Sequence, residues 1–513
     1  MSLHTPLDHA VKEAVEEPSH YGLRQWSGWI LGPACLIATL VLPPPEGLSV
    51  EGWRTAGAAL LMAVFWISES IPIPATALLP LVLFPLLGLA NGRDAAAPYA
   101  NPIIYLFLGG FLLAAAMQRW NLHRRVALNL IGALGTRPTR VVGGFLLTST
   151  LISMWVSNTA TALMMLPIAI SVAQLAESGG AVSTGQRRAF SAALLLAVAY
   201  GATTGGMATL IGTPPNALLA GYVEKVYDVR IGFGQWMLLG VPVTLIALPI
   251  VYFVLTRVSF RLDDKPVGGM AEMFAAERAK LGGFTRGEVT VSVVFALTAL
   301  GWVTQPLIAK VLPGVTDTLI GMAGALALFF IPVNFRRGEF VLTWDTAKSV
   351  PWDVLLLFGG GLSLAGMIEK HGLSTYLGEL CGALDGLPVV LTLAVVCFGI
   401  LMLTELTSNT ATAATFLPIA AALALSLGQN PLLFVVPTAL AANCSYMMPV
   451  GTPPNAIVFG SGRITLPEMA KAGLWLNIAL VPLLLGAMWL LGGWVFGLEL
   501  GVVPDWAAGA AGK

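Results

Sequence analysis

The chain has 513 residues, of which 56% are hydrophobic and only 11% charged, against roughly 25% charged in an ordinary soluble domain. A mean hydropathy of +0.81, with 56 Gly and 33 Pro, excludes a water-soluble globule and places the chain in a bilayer. Formal net charge is zero, 27 Lys and Arg against 27 Asp and Glu, so nothing points to nucleic acid or an acidic partner.

The first 25 residues are polar and mildly acidic. The apolar stretch from Trp26 begins too late for a cleaved signal sequence and reads as a first span behind a cytoplasmic tail. A span needs about 20 apolar residues, and candidates follow at 26–43, 52–70, 72–90 and 101–118. Two interrupted regions come next: 141–176, too long for one span and carrying SNTAT at mid-length, and 189–222, broken by GTPPNA. After a span at 236–257, the polar stretch 258–286 separates the halves. Spans at 285–305, 315–332 and 352–368 precede a second pair of interrupted regions, 388–427 and 431–460, and a last span at 474–497.

With the amino terminus inside and each SNTAT region a re-entrant hairpin, the remaining blocks make eleven crossings. Most of the 27 Lys and Arg then lie on the cytoplasmic side, among them Arg119, Arg124, Arg125, Arg137, Arg140, Arg187, Arg188, Arg257, Arg261, Arg336 and Arg337. Such an excess is the rule for cytoplasmic loops. Treating the hairpins as full crossings would separate Arg187 and Arg188 from the 119–140 cluster.

The halves are repeats. Ser157-Asn158-Thr159-Ala160-Thr161-Ala162 recurs as Ser408-Asn409-Thr410-Ala411-Thr412-Ala413, and Gly212-Thr213-Pro214-Pro215-Asn216-Ala217 recurs as Gly451-Thr452-Pro453-Pro454-Asn455-Ala456. Upstream, Leu106-Phe107-Leu108-Gly109-Gly110 is echoed by Leu357-Phe358-Gly359-Gly360. Five crossings per half, an odd number, invert the second half relative to the first. Matching Gly/Pro-interrupted segments in inverted halves point to a transporter's midplane site.

Non-helical backbone at membrane depth must line a protein-enclosed cavity. The double proline of GTPPNA removes donors and stops a helix. The freed carbonyls near Gly212 and Gly451 suit Na⁺, while helix-end amides suit a carboxylate. No Lys, Arg or His falls within 141–176, 191–222, 388–427 or 431–460. A dianion held there must be neutralised by co-bound cations and helix ends, which favours cation-coupled symport.

Other residues weigh less. Glu405 adjoins the second SNTAT and is a candidate proton relay, whereas Glu69, near a span end, reads as structural. His123 falls in a basic loop and reads as solvated; the 14 Trp largely fit interfacial belts. Cys35, Cys381, Cys397 and Cys444 lack metal-ligand spacing and read as ordinary buried thiols. No HExxH, GxSxG or paired His suggests an enzyme.

The doubled SNT with doubled T-P-P-N resembles the divalent anion/sodium symporter family, over nearly the whole chain beyond residue 25; Arg119-Trp120-Asn121-Leu122-His123 also resembles a loop of that family. Eleven crossings from a cytoplasmic amino terminus make an all-α polytopic protein of the plasma (inner) membrane with its carboxyl terminus extracytoplasmic, and the resemblance implies a homodimeric elevator-type transporter. It divides the chain into a tail (1–25), scaffold helices (26–140 and 287–387), transport-domain hairpin, broken helix and closing helix (141–257 and 388–497), a linker (258–286) and a second tail (498–513). It assigns one sodium to Ser153, Ser157, Asn158 and Gly212, and a second to Thr404, Ser408, Asn409 and Gly451. Substrate carboxylates fall to Ser157, Asn158, Thr159, Ser408, Asn409 and Thr410, with Thr452 and Pro453 nearby. The expected function is sodium-coupled symport of a C4 dicarboxylate such as succinate, fumarate or malate. Sodium-independent exchange, and citrate or sulfate as cargo, remain open on the same fold.

Overall fold

The computed structural model describes residues 21–178, 184–263, 269–380 and 387–508; Cys381 and most of the amino-terminal tail lie outside them. The first half runs α1 (Leu23–Val41), α2 (Val50–Ser68), α3 (Ile73–Leu78), α4 (Pro80–Leu86), α5 (Pro102–Arg119), α6 (Leu122–Leu134), α7 (Pro138–Ser153), α8 (Asn158–Ser178), α9 (Thr184–Gly206), α10 (Pro214–Tyr227) and α11 (Phe233–Phe253). The linker carries α12 (Met270–Leu281). The second half runs α13 (Arg286–Val311), α14 (Asp317–Phe330), α15 (Trp352–Lys370), α16 (Leu373–Leu380), α17 (Val389–Thr404), α18 (Asn409–Ser426), α19 (Leu432–Asn443), α20 (Pro453–Phe459) and α21 (Leu466–Phe496). From α5 and from α15 onward the same succession appears: a long helix, a shorter one, two helices flanking SNT, two flanking the GTPPNA break, and a closing helix.

Local chemistry sets these boundaries. Asn101 caps α5 by accepting from the Ile103 amide, with Pro102 supplying the first helical residue. Thr285 with Glu288 opens α13 through a capping box, and Thr465 with Glu468 does the same for α21. The expected span at 72–90 is two short helices, since Pro80 has no N–H to carry the ladder across Leu79. Pro167 and Pro418, by contrast, sit inside α8 and α18.

Among the described residues, eight helices are long and apolar enough to cross a membrane; Ile73–Leu86, Asp317–Phe330, Val389–Thr404 and Leu432–Asn443 are shorter apolar segments. Their burial differs sharply. The apolar window of α9 is 94% buried and that of α13 only 17%. α9 is therefore the protein's inner core, and α13 presents Val293, Leu297, Leu300 and Leu307 outward, as lipid-facing helices do.

The linker is more ordered than its polarity suggests. Arg125, on α6, donates to Glu288 at 2.8 Å and to the carbonyls of Leu281, Gly282 and Gly283, with its guanidinium 4.4 Å from the Phe284 ring centre. Arg124 pairs with Glu277 on α12 at 2.9 Å. Lys280, and then Arg124, hold the Glu277 carboxyl below the usual carboxylate range. His123 is not solvated: it is buried in α6, its Nδ1 3.2 Å from the Met117 carbonyl. Basic neighbours suggested a loop, but α6 is amphipathic and turns His123 inward. Likewise Trp66, Trp236 and Trp302 are fully buried, each indole N–H satisfied by a backbone carbonyl.

Candidate substrate and ion site

Four helix ends converge on one cavity of about 620 Å³. Ser157, Asn158 and Thr159 line it from the start of α8, Ser408, Asn409 and Thr410 from the start of α18, and Thr213, Pro214, Thr452 and Pro453 from the starts of α10 and α20. The opposite wall comes from Glu69, Ile73 and Pro74, from α5 (Phe111, Ala114, Ala115, Gln118) and from the entry to α15 (Ser349, Val350, Pro351, Asp353, Val354). None of these lining residues is Lys, Arg or His. The positive character available to an anion therefore comes from amino-terminal helix ends, with free amides at α8 and α18 and only the helix dipole at the proline-started α10 and α20. Glu69 points its charge elsewhere, pairing with Arg24 at 3.1 Å.

Beside the cavity, each SNT asparagine sits in a ring of oxygens. The amide end of Asn158 lies 2.6 Å from Ser153 Oγ, 3.1 Å from the Ala202 carbonyl oxygen and 3.3 Å from that of Gly212. The amide end of Asn409 lies 2.7 Å from Thr404 Oγ1, 3.2 Å from the Ala442 carbonyl oxygen and 3.1 Å from that of Gly451. With its NH₂ turned inward, each amide bonds these oxygens. With its oxygen turned inward, each completes a set of hydroxyl, amide and two carbonyl oxygens, the donor chemistry of a hard cation. Ser153 and Thr404 are fully buried behind the cavity. Ser157 and Ser408 stay on its wall, Ser157 Oγ capping the Ala160 amide at 3.3 Å.

The breaks are held open by their own sequence. Asn216 Nδ2 donates to the carbonyls of Gly206 (3.1 Å) and Thr209 (2.9 Å), and Asn455 Nδ2 to those of Ser445 (3.3 Å) and Met448 (3.0 Å). The GTPPN asparagine thus replaces the helical donors that the prolines remove. The break folds so tightly that a Cβ on Gly212 would lie 2.6 Å from the Gly206 carbonyl oxygen, and one on Gly451 2.9 Å from that of Glu405.

Several supporting contacts escaped sequence reading. Glu405 is 3% exposed and accepts five hydrogen bonds: from Ser445 Oγ (3.0 Å), Asn477 Nδ2 (2.8 Å) and the amides of Tyr446, Met447 and Met448 (2.8–3.0 Å). These bonds make it a clamp on the second break. Asn443 joins the halves, accepting from Thr213 Oγ1 at 2.6 Å and donating to the Thr203 carbonyl at 2.9 Å. Tyr200 reaches across to the Tyr446 carbonyl at 2.7 Å. Gly240 on α11 and Gly473 on α21 press against the breaks, each followed four residues on by a polar contact, Thr244 and Asn477. That doubled Gly-x-x-x-polar spacing is the signal that could have found them.

Residues 23–498 match the transmembrane region of the sodium:sulfate symporters. The chain belongs to the sodium:sulfate symporter family, as the doubled SNT and T-P-P-N motifs suggested. Among its relatives, the sodium-dependent dicarboxylate transporter SdcS of Staphylococcus saprophyticus is 41% identical over 492 residues, 94% of this chain and 95% of that protein. SdcS of Staphylococcus aureus strain RF122 is 41% identical over 460 residues, 88% of each chain. Two solved transporters share the fold at low identity. MtrF of Neisseria gonorrhoeae has a TM-score of 0.52 at 13% identity, covering 94% of this chain and 97% of its own. YdaH of Alcanivorax borkumensis has a TM-score of 0.54 at 15% identity, covering 85% and 99%. The family is one of membrane transporters and not of enzymes.

Proposed function

We propose that this symporter-family chain carries a small dicarboxylate, a C4 acid such as succinate, fumarate or malate, together with Na⁺. The observation that carries the reading is the pairing of two oxygen clusters, at Asn158 and Asn409, with one cavity that both SNT motifs line and no basic side chain enters. A dianion there needs cations beside it. The names of the relatives, sodium-dependent dicarboxylate transporters, agree with that electrostatic demand.

On this reading Ser153, Ser157, Asn158 and Gly212 hold one sodium and Thr404, Ser408, Asn409 and Gly451 a second, the carbonyls of Ala202 and Ala442 adding to them. The substrate carboxylates meet Ser157, Asn158, Thr159, Ser408, Asn409 and Thr410 beside Thr452 and Pro453. Eleven crossings, two re-entrant hairpins, a homodimer and elevator motion of 141–257 with 388–497 complete the proposal. The cavity's position, with those two segments on one side and residues from 69–118 and 349–357 on the other, supports it.

The test is uptake of labelled succinate into liposomes under an inward Na⁺ gradient, with K⁺ or choline in the control. Uptake that needs Na⁺ is expected. With more than two Na⁺ per dianion it will also rise with a negative interior, by about 2.3 kcal/mol per net charge per 100 mV. Uptake indifferent to Na⁺ but requiring internal dicarboxylate makes the chain an exchanger and overturns sodium coupling.

A further inference from the structure

A second concavity lies away from the substrate site, on the outer side of α7 and α11. It is an open groove of about 520 Å³, lined by Arg140, Gly143, Leu147, Leu248, Pro249 and Tyr252 among others. Its floor exists because residue 143 is glycine: a Cβ there would meet the Tyr252 ring at 3.2 Å. One end is polar and the rest apolar. Arg140 sits in the first turn of α7 and Tyr252 at the last turn of α11, so both mark the same end of the groove. Neither the Arg140 guanidinium nor the Tyr252 hydroxyl bonds another described residue, and Arg140 is exposed. Leu147 lies seven residues further along α7, about 10 Å deeper into the apolar layer.

We propose that this groove holds an anionic phospholipid. Its phosphate sits on Arg140 and the Tyr252 hydroxyl, and one acyl chain lies along Leu147, Leu248 and Pro249. The apolar floor answers the acyl chain, which a free anion would leave unused. The guanidinium answers the phosphate with paired donors that a zwitterionic headgroup partly neutralises itself. Tyrosine at the end of a spanning helix is the usual interfacial contact to headgroups. Arg257 and Arg261 follow Tyr252 at this end of α11 and add to the local positive field. The site is independent of the proposed cargo. It has a functional reach nonetheless, because α7 carries Ser153 at its far end and α11 presses on the first break through Gly240.

The experiment is native mass spectrometry of the full chain in detergent, titrated with palmitoyl-oleoyl phosphatidylglycerol and, separately, with the matching phosphatidylcholine. Phosphatidylglycerol should be retained at about five-fold lower concentration, the discrimination one basic side chain supplies. Arg140→Gln should abolish that difference, Arg140→Lys should keep most of it, and Gly143→Leu, which fills the floor, should remove one bound lipid of either kind. An unchanged preference in Arg140→Gln overturns the proposal. So does displacement of phosphatidylglycerol by millimolar inorganic phosphate, which would make the groove a simple anion pocket. A disulfide between two copies carrying Leu147→Cys would assign the groove to a chain–chain contact and overturn it equally.

Discussion

The two breaks share a motif, a capping asparagine and an oxygen cluster, yet they are secured by opposite chemistry. Three residues before the SNT serine stands Met154 in the first half and Glu405 in the second; six residues before the GTPPN glycine stand Gly206 and Ser445. In the first half a neutral hydroxyl does the joining, Thr209 Oγ1 donating to the Met154 carbonyl at 2.5 Å. In the second half the Glu405 carboxylate gathers Ser445, Asn477 and three successive amides. The turn around SNT differs as well. Trp155 packs edge-on against Phe295 at 5.1 Å and parallel to Phe233 and Trp302, whereas Leu406, its counterpart, is 56% exposed. The two halves keep the same geometry at the cavity and differ in the contacts that support it.

The hardest test of that view strikes what the halves share. Asn158→Ala and Asn409→Ala should each cut Na⁺-driven uptake by more than about 100-fold, with both variants still monodisperse in detergent. Wild-type uptake by either would remove its cluster from the ion pathway and end the symmetry argument. The next test strikes what they do not share. Glu405→Ala strips the partner from five buried donors and should cost about 3 kcal/mol or more, read as a fall in the thermal unfolding midpoint. Thr209→Val, which removes one neutral hydrogen bond, should cost about 1 kcal/mol. Equal losses would mean that the two supports are not different in kind.

The motifs were legible because their constraints are local. Two prolines must stop a helix, and a glycine must stand where Gly212 meets Gly206, so both stretches carry their geometry in their letters. Repetition then paired elements about 240 to 250 residues apart in the chain. The supports were not legible for the opposite reason. Glu405 reads as a lone membrane carboxylate until Asn477 and the 446–448 amides arrive from elsewhere in the fold, and burial of His123 depends on which way an amphipathic helix is turned. The interruption at Leu79 fell inside a run whose apolar composition satisfied the span criterion without regard to Pro80.

The aromatic contact at Trp155 gives a kinetic version of the comparison. Each aromatic pair contributes about 0.5–1.5 kcal/mol beyond burial, so losing the ring should weaken this arrangement by about 2 kcal/mol, roughly 30-fold in its balance against others. Val450 lines the cavity and is 64% exposed here. On the proposed elevator motion, with Val450 covered in the opposite state, a cysteine at that position should be labelled more slowly in Trp155→Ala. Leu406→Ala, with no such packing to lose, should leave the labelling rate where it was. Equal slowing in both would show that the two turns hold the arrangement alike.

The smallest expected effect separates two threonines that the motif makes identical. Thr213 Oγ1 is committed to Asn443 at 2.6 Å, while the Thr452 hydroxyl lines the cavity and bonds no other described residue. A hydroxyl already engaged in the fold has little left for cargo, and a free one has nothing else to lose. Thr452→Val should raise the KM for substrate by about 2- to 10-fold, the worth of one hydrogen bond, with an unchanged unfolding midpoint. Thr213→Val should do the reverse, costing about 1 kcal/mol of stability at nearly constant KM. If both variants raise KM alike, cargo draws on both breaks equally, and the link from Thr213 to Asn443 must open whenever substrate binds.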